Sequence, residues 1–328
     1  MRRAILLLAN PVSGGKVAAP GSADSPAPET LRDALLQRGL EVELHVLEAN
    51  DDPGPLAARA VTDGRDVVAA GGDGTVAPAA ASLLGTDATL GAIPLGSWNN
   101  IASGWGVPAE LEAAMDLIGA GVTRLVDVGL AWHPGSDDVA TGEPSSEAQP
   151  FFEAAGVGLD AVGFGAAQLG ERHGAWTALR ATWRALRRRR TRIRLTVDGR
   201  RLQTAAPAVT ICNGPYFGMG FALAPDADPA DGRLNVVAFS GMGRLDVIRH
   251  YLAVARGRPR REPRVTYLTG QRIWVGGVRR ILPAHADGRS IGVTPVAFAV
   301  RPAALRIFGR PPQLPGRPVA AAASVPKA

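Results

Sequence analysis

The sequence predicts an α/β protein, with a mostly parallel sheet over residues 1–128 and a β-rich second unit after it. Three observations carry this reading. Up to Asp127, short apolar runs alternate with stretches of helical length. After TRLVDVGLAW the alternation stops and short β-like runs crowd together. Three apolar runs of the first part end in glycine-rich turns, which in a parallel sheet share the carboxyl edge where ligands bind.

Ala4 to Ala9 reads as a buried strand, then PETLRDALLQRGL as a helix, EVELHVLEA as a strand, GPLAARAVTDG as a helix and RDVVAAGG as a strand. An Ala-rich helix, the strand TLGAIPLG and the helix ELEAAMDLIGAG complete the series. Such alternation implies right-handed crossovers and a Rossmann-like sheet. His133 to Pro150 reads as the polar tip of a long hairpin. FFEAAGV, IRLTV, RLQTAA, AVTICNG, RLNVVAF, RIWVGG and VAFAV then read as strands. Two helices interrupt them. The first places Trp176, Leu179, Trp183 and Leu186 on one stripe and Arg180, Arg184, Arg187 and Arg188 on another; the second, near Leu245 to Ala255, is expected to bury Leu245, Ile248 and Leu252. The domain reading is residues 1–128, completed by about 299–309, then 129–298, then a Pro/Ala-rich disordered tail over 310–328.

The single cysteine, Cys212, has no intrachain partner and lies in an apolar strand, which fits a buried thiol in a reducing cytoplasm. The opening MRRAILLLANP is too short in its apolar run for a signal peptide, and Gly, Pro, Ser and Asn interrupt every longer uncharged stretch, so no membrane span is expected. Between Ala178 and Arg201 stand ten arginines and one acid, against a net charge of +6 for the whole chain, a basic patch on a mildly acidic body. From Arg180 to Arg194 this patch suits an anionic membrane surface, with a solvated face as the bland alternative. Nucleic acid is not expected, because Trp176 and Trp183 fall on the core stripe and leave no aromatic platform on the basic side.

The chemistry centres on VVAAGGDGT. A strand, a glycine-rich turn and a helix present backbone N–H groups to phosphate. Asp73 inside that turn would repel phosphate, unless a Mg²⁺ ion or a hydroxyl proton stands between them. NPVSGGK and PLGSWNN supply two further glycine-rich turns, and none of the three matches a P-loop or a dinucleotide fingerprint. PDADPADGRLN offers Asp228, Asp231 and the Arg233 carbonyl at i, i+3 and i+5. Such oxygen ligands suit Mg²⁺ or Ca²⁺, and a plain acidic turn is the alternative.

GGDGT, preceded by NPVSGGK and followed by IPLGSWNNIASGWGVP, resembles the diacylglycerol kinase catalytic-domain family, bacterial lipid kinases related to sphingosine and ceramide kinases. VDVGLAW, FFEAAGVGLDA, ICNGPYFGMGFALAPDADPADGRLNVVAF and HADGRSIGVTPVAFAVRPAALRIF extend the resemblance over most of the chain. It implies ATP and Mg²⁺ as cofactors, a lipid hydroxyl as acceptor with diacylglycerol as the default, and a β-sandwich-like second domain. Asn10, Ser13, Gly14, Lys16, Gly71, Gly72, Gly74, Thr75, Gly96, Ser97 and Asn99 would line the nucleotide site. Asp73 would organise Mg²⁺ and water, Asp287 would be the general base, and Asp228, Asp231 and Arg233 would hold a structural Mg²⁺. The chain departs from the family at Ala77-Pro78, with Pro78 read into the helix's first turn, and at Arg289, in place of an acid and beside Asp287 if the segment runs extended. A weak or inactive pseudokinase, and an NAD kinase sharing GGDGT, are the competing readings.

Overall fold

The computed structural model describes residues 3–13, 26–134, 143–159, 161, 192–255 and 262–312. The arginine-rich helix expected around Trp176 and the tail from 313 onward lie outside them. β1 (Ala4–Ala9), β2 (Glu41–Val46), β3 (Asp66–Gly71) and β4 (Thr89–Pro94) pair in parallel in the order β2-β1-β3-β4. β1, and β3 and β4 beyond their first residues Asp66 and Thr89, are apolar because both their faces are covered. α1 (Pro28–Gln37) and α5 (Leu111–Gly119) pack on one face through Leu31, Leu35, Met115 and Ile118. α2 (Pro53–Thr62) and α3 (Asp73–Ser82) pack on the other through Ala57, Ala60, Val76 and Ala79. Asp52 starts α2 by accepting from the Gly54 N–H at 3.0 Å, with Pro53 pre-set for the first turn.

β18 (Val296–Phe308) brings the chain back to this sheet. It lies parallel to β4 at Arg306 and Ile307, and antiparallel to β5 (Thr123–Trp132) and β15 (Arg272–Val278). A register shift between Arg301 and Leu305 lets one strand serve both regions. β6 (Gln149–Phe151) folds back on β5, as the polar hairpin predicted, and β8 (Arg192–Val197) with β9 (Arg200–Ala205) extends the sheet beyond β15.

A second, antiparallel sheet runs β14-β13-β10-β7-β16-β17, built from β7 (Ala154–Gly158), β10 (Ala208–Cys212), β13 (Leu234–Phe239), β14 (Val265–Gly270), β16 (Pro283–Ala286) and β17 (Arg289–Val293). Its inner face packs Val157, Ile211 and Val236 against Ile193, Val275 and Phe298 of the first sheet, a sandwich core. Cys212 is buried on the outer side of this sheet.

α6 (Arg244–Ala255) corrects the sequence reading. Leu245 and Leu252 are exposed, and the helix buries Val247 and His250 instead. The His250 ring sits edge-on to Phe239, 5.8 Å between centroids, so a residue that periodicity scores as polar fills a core position. Pro78 also moves. α3 begins at Asp73, so Pro78 stands in its second turn and deprives the Gly74 carbonyl of its i+4 partner.

Candidate active site

The turns after β1, β3 and β4 meet at the carboxyl edge of the parallel sheet. Asn10 leaves β1, its side-chain amide donating to Thr75 Oγ1 at 3.1 Å while its Oδ1 accepts from the Val12 N–H at 3.1 Å. The β3 and β4 turns touch backbone to backbone: a Cβ on Gly96 would lie 2.4 Å from Gly72 Cα, and one on Gly71 would lie 2.5 Å from Thr75 Oγ1. Only glycine permits that approach. Asn99, in the left-handed region at φ 50°, closes the β4 turn, accepting from the Gly96 N–H at 2.9 Å and donating to its carbonyl at 2.7 Å. A Cβ on Gly74 would point into open space. Ser13 Oγ lies beside Gly71, and Ser97 is exposed at the rim. Asn10, Ser13, Gly71, Gly72, Gly74, Thr75, Gly96, Ser97 and Asn99 therefore gather around one edge; Gly14 and Lys16 lie outside the described residues.

Asp73 is the first residue of α3 and reaches across to α4 (Asn100–Gly104). Its two carboxylate oxygens accept from the Asn100 and Ile101 N–H groups, each at 3.0 Å. Burial raises its pKa, against the pull of those two hydrogen bonds.

Asp287 comes from the second sheet. It and Gly288 have φ of 44° and 73° and form a tight turn between β16 and β17, with Ala286 paired to Arg289. The segment is thus not extended past Gly288. Arg289 begins β17 as an exposed residue, and the charge of Asp73 acts on Asp287. The Asp287 carboxylate accepts from the N–H groups of Phe152 at 2.7 Å, Glu153 at 2.9 Å and Ala154 at 3.1 Å. Desolvation, with a smaller contribution from the charge of Asp73, pushes its pKa up to about 6 in spite of these donors.

Glu153, between β6 and β7, joins the two sides and was missed by sequence reasoning. Its N–H holds Asp287, its carbonyl accepts from Asn213 at 3.0 Å and Gly214 at 3.3 Å, and its Oε1 accepts from the Gly218 N–H at 2.6 Å. Its carboxylate also hydrogen-bonds the Asn100 side chain, whose amide donates to the Gly218 carbonyl at 2.7 Å. Burial, then Asp287 and Asp73, push Glu153 well above the usual carboxylate range. The signal available in sequence was one acid inside the apolar run FFEAAGV.

The Asp228–Arg233 turn lies apart from these residues. The Asp231 carboxylate accepts from the Arg233 N–H at 2.9 Å, and Asp228 accepts from the Ala230 N–H at 3.2 Å with Arg124 3.8 Å away. Beneath it sits Asp127, also missed, which accepts from Gly232 at 2.6 Å and Ala303 at 2.8 Å. Asp228 and Asp127 both push the Asp231 pKa up, after burial. Among the described residues no three His, Cys, Asp or Glu side chains are close enough to hold a metal; a cation at Asp228 and Asp231 would need carbonyl and water oxygens as well.

Residues 4–131 match the diacylglycerol kinase catalytic domain, and residues 155–309 match the YegS C-terminal NAD kinase beta sandwich-like domain. A diacylglycerol kinase of Mycobacterium tuberculosis (strain CDC 1551 / Oshkosh) is 28% identical over 313 residues, 93% of this chain and 94% of that one. The probable YegS-like lipid kinase of Xanthomonas campestris pv. campestris (strain 8004) is 36% identical over 110 residues, 30% of this chain and 36% of its own. The crystal structure of a diacylglycerol kinase from Bacillus anthracis str. Sterne has the same fold, with a TM-score of 0.69 at 18% identity, covering 94% of this chain and 97% of that one. With a catalytic domain and a C-terminal domain of this type in tandem, the chain belongs to the diacylglycerol kinase family and is a lipid kinase.

Proposed function

We propose that the chain transfers the γ-phosphoryl group of ATP to a lipid hydroxyl, with diacylglycerol as the acceptor. The observation that carries this is the meeting of Asp73, from the glycine-rich edge, with Asp287, from the second sheet, through Asn100 and Glu153. Asp287, at a pKa of about 6, is ionised at neutral pH yet more basic than an ordinary carboxylate. It takes the proton of the lipid hydroxyl as that oxygen bonds to the γ-phosphorus and the bond to ADP breaks. Bound Mg²⁺ would neutralise the phosphates. Asp73 would orient the water around them, and the open side of Gly74 admits phosphate against backbone. Asn10, Ser13, Gly14, Lys16, Gly71, Gly72, Thr75, Gly96, Ser97 and Asn99 complete the proposed nucleotide site. Asp228, Asp231 and the Arg233 carbonyl are the proposed holders of a structural Mg²⁺.

The proposed nucleotide unit is residues 1–128 closed by β18, with 129–298 as the lipid-facing unit. Among the described residues no helix is long and apolar enough to cross a membrane. A cytoplasmic enzyme working at an anionic membrane face fits the buried single cysteine, Cys212, and the exposed Arg192 and Arg194; Arg180 to Arg190 lie outside the described residues.

Incubation with Mg-ATP and a total lipid extract, with new phospholipids identified by mass, tests the reading. A phosphorylated diacylglycerol is expected from the wild type and none from Asp287→Asn. One observation favours a second reading: the carboxylate oxygens of Asp73 and Asp287 are all engaged by backbone N–H groups, as they would be in a binding protein without turnover. Single-turnover transfer from labelled ATP separates the two.

A further inference from the structure

The tip of the loop that carries the chain from β15 in the first sheet to β16 in the second is shaped at a conformational cost. Arg279 sits in the left-handed region at φ 62°, disfavoured for a bulky side chain. The chain folds back so closely that a Cβ on Gly277 would lie 1.9 Å from the Arg280 carbonyl oxygen, so only glycine serves there. What this geometry achieves is outward display of Arg279, Arg280 and Ile281, the last 69% exposed.

Pairing brings two more arginines to the same place. Across the sheet, Arg194 faces Gly276 and Arg192 faces Val278, so the basic stretch of the sequence enters β8 beside this tip. Arg192 and Arg194 are exposed. The Trp274 ring lies across Gly276, where a Cβ would be 2.2 Å from its Cη2, and forms a floor. Arg194, Arg279, Arg280, Ile281 and Trp274 line a concavity of about 320 Å³. Among the described residues, none of these arginines has an acidic partner.

We propose that this tip is a docking element for an anionic phospholipid bilayer, its arginines taking headgroup phosphate while Ile281 enters the interface. Arginines without an acidic partner among the described residues call for an anion. A lone exposed aliphatic among them calls for an interface with an apolar side, which a free phosphate or a polar polymer lacks. Trp274 is buried and offers no face for stacking bases. β16 runs from the tip to Asp287, so docking also fixes how the candidate site faces the bilayer. The inference rests on the lipid-kinase reading, whose acceptor resides in a bilayer.

The test is co-sedimentation of the full chain, without nucleotide, with phosphatidylcholine vesicles containing or lacking phosphatidylglycerol. Binding to the anionic vesicles alone, weakening as salt rises, is expected. Arg279→Glu/Arg280→Glu should lose about tenfold or more of that binding, and Ile281→Ser should lose several-fold. Arg279→Lys/Arg280→Lys keeps the charge and should bind nearly as the wild type, which separates docking from misfolding. Turnover of a short-chain monomeric diacylglycerol should be unchanged in all three variants. Failure of the wild type to bind anionic vesicles, or wild-type binding by the Arg→Glu pair, overturns the proposal. If no protein turns over the short-chain acceptor while the tip variants still lose vesicle binding, the kinase reading falls and the docking element stands.

Discussion

The Glu153 N–H donates to the Asp287 carboxylate at 2.9 Å, while the Glu153 side chain accepts from Gly218 at 2.6 Å on the far side of the same residue. One residue therefore seats the candidate base and ties down the loop opposite it. Glu153→Gln keeps an acceptor for Gly218 and should stay within a few-fold of wild-type kcat. Glu153→Ala leaves the half-buried Gly218 N–H without its acceptor, at about 1 kcal/mol, and loosens Asn100. Its kcat should fall at least tenfold with little change in KM for ATP. Steady-state kinetics of the two variants checks this; equal kcat in Gln and Ala would mean the side chain positions nothing.

Asp287 should write an acid limb into the pH–rate profile. With a pKa of about 6, it is protonated in mild acid and cannot take the hydroxyl proton. Turnover should therefore decline below about pH 6, a value that belongs to the coupled carboxylates together. Asp287→Asn should lower kcat by roughly 10²–10⁴-fold and flatten that limb.

The same shift has a stability consequence of defined sign. The folded pKa of about 6 lies above the ordinary 3.8, so the folded state prefers the protonated group. Its stabilising contribution is full below about pH 4 and is lost as pH rises through about 6, a change on the order of 3 kcal/mol. Thermal melts from pH 4 to 7 should show the wild type losing ground against Asp287→Asn across that window.

Two glycines of the same sheet edge should respond oppositely. Gly96→Ala forces a methyl to 2.4 Å from Gly72 Cα and should cost about 1–3 kcal/mol, seen as a lowered melting temperature. Gly74→Ala meets nothing within 4 Å and should melt at or above the wild type, helped by its place in the first turn of α3. Its methyl occupies the open side offered to phosphate, so KM for ATP should rise several-fold.

Magnesium should raise the melting temperature of the wild type more than that of Asp228→Asn/Asp231→Asn. Saturation a hundredfold above Kd would contribute about 2.7 kcal/mol at a site present only in the folded state. Equal responses would place the ion elsewhere.

The parallel sheet and its turns were legible because their signals are local: apolar runs, crossover helices and glycines at strand ends. The place of Asp73 at the strand-to-helix turn was legible for the same reason, since glycines at a strand end mark the turn. Glu153 and Asp127 were not, because each sits in or between strands, where alternation makes an acid look like a solvent-facing residue. Their burial comes from long-range partners, Gly218 for one and Ala303 for the other. α6 was misjudged because His250 is apolar in its setting and polar by type. The placing of Arg289 failed on a readable cue: Asp-Gly between two strands favours a hairpin turn over an extended run.

β18 joins β4, β5 and β15, although it is the last strand among the described residues. On the ribosome, the sheet bearing the glycine-rich edge stays open beside β4 until Val296 to Phe308 have emerged. A nascent chain that stalls earlier exposes strand edges and the inner face of the sandwich to any neighbour. Quality control thus meets a clear boundary in synthesis: chains halted before β18 lack both the strand beside β4 and the Val296 and Phe298 side chains of the sandwich core, and a C-terminal deletion into this strand should yield insoluble protein rather than a half-active fragment.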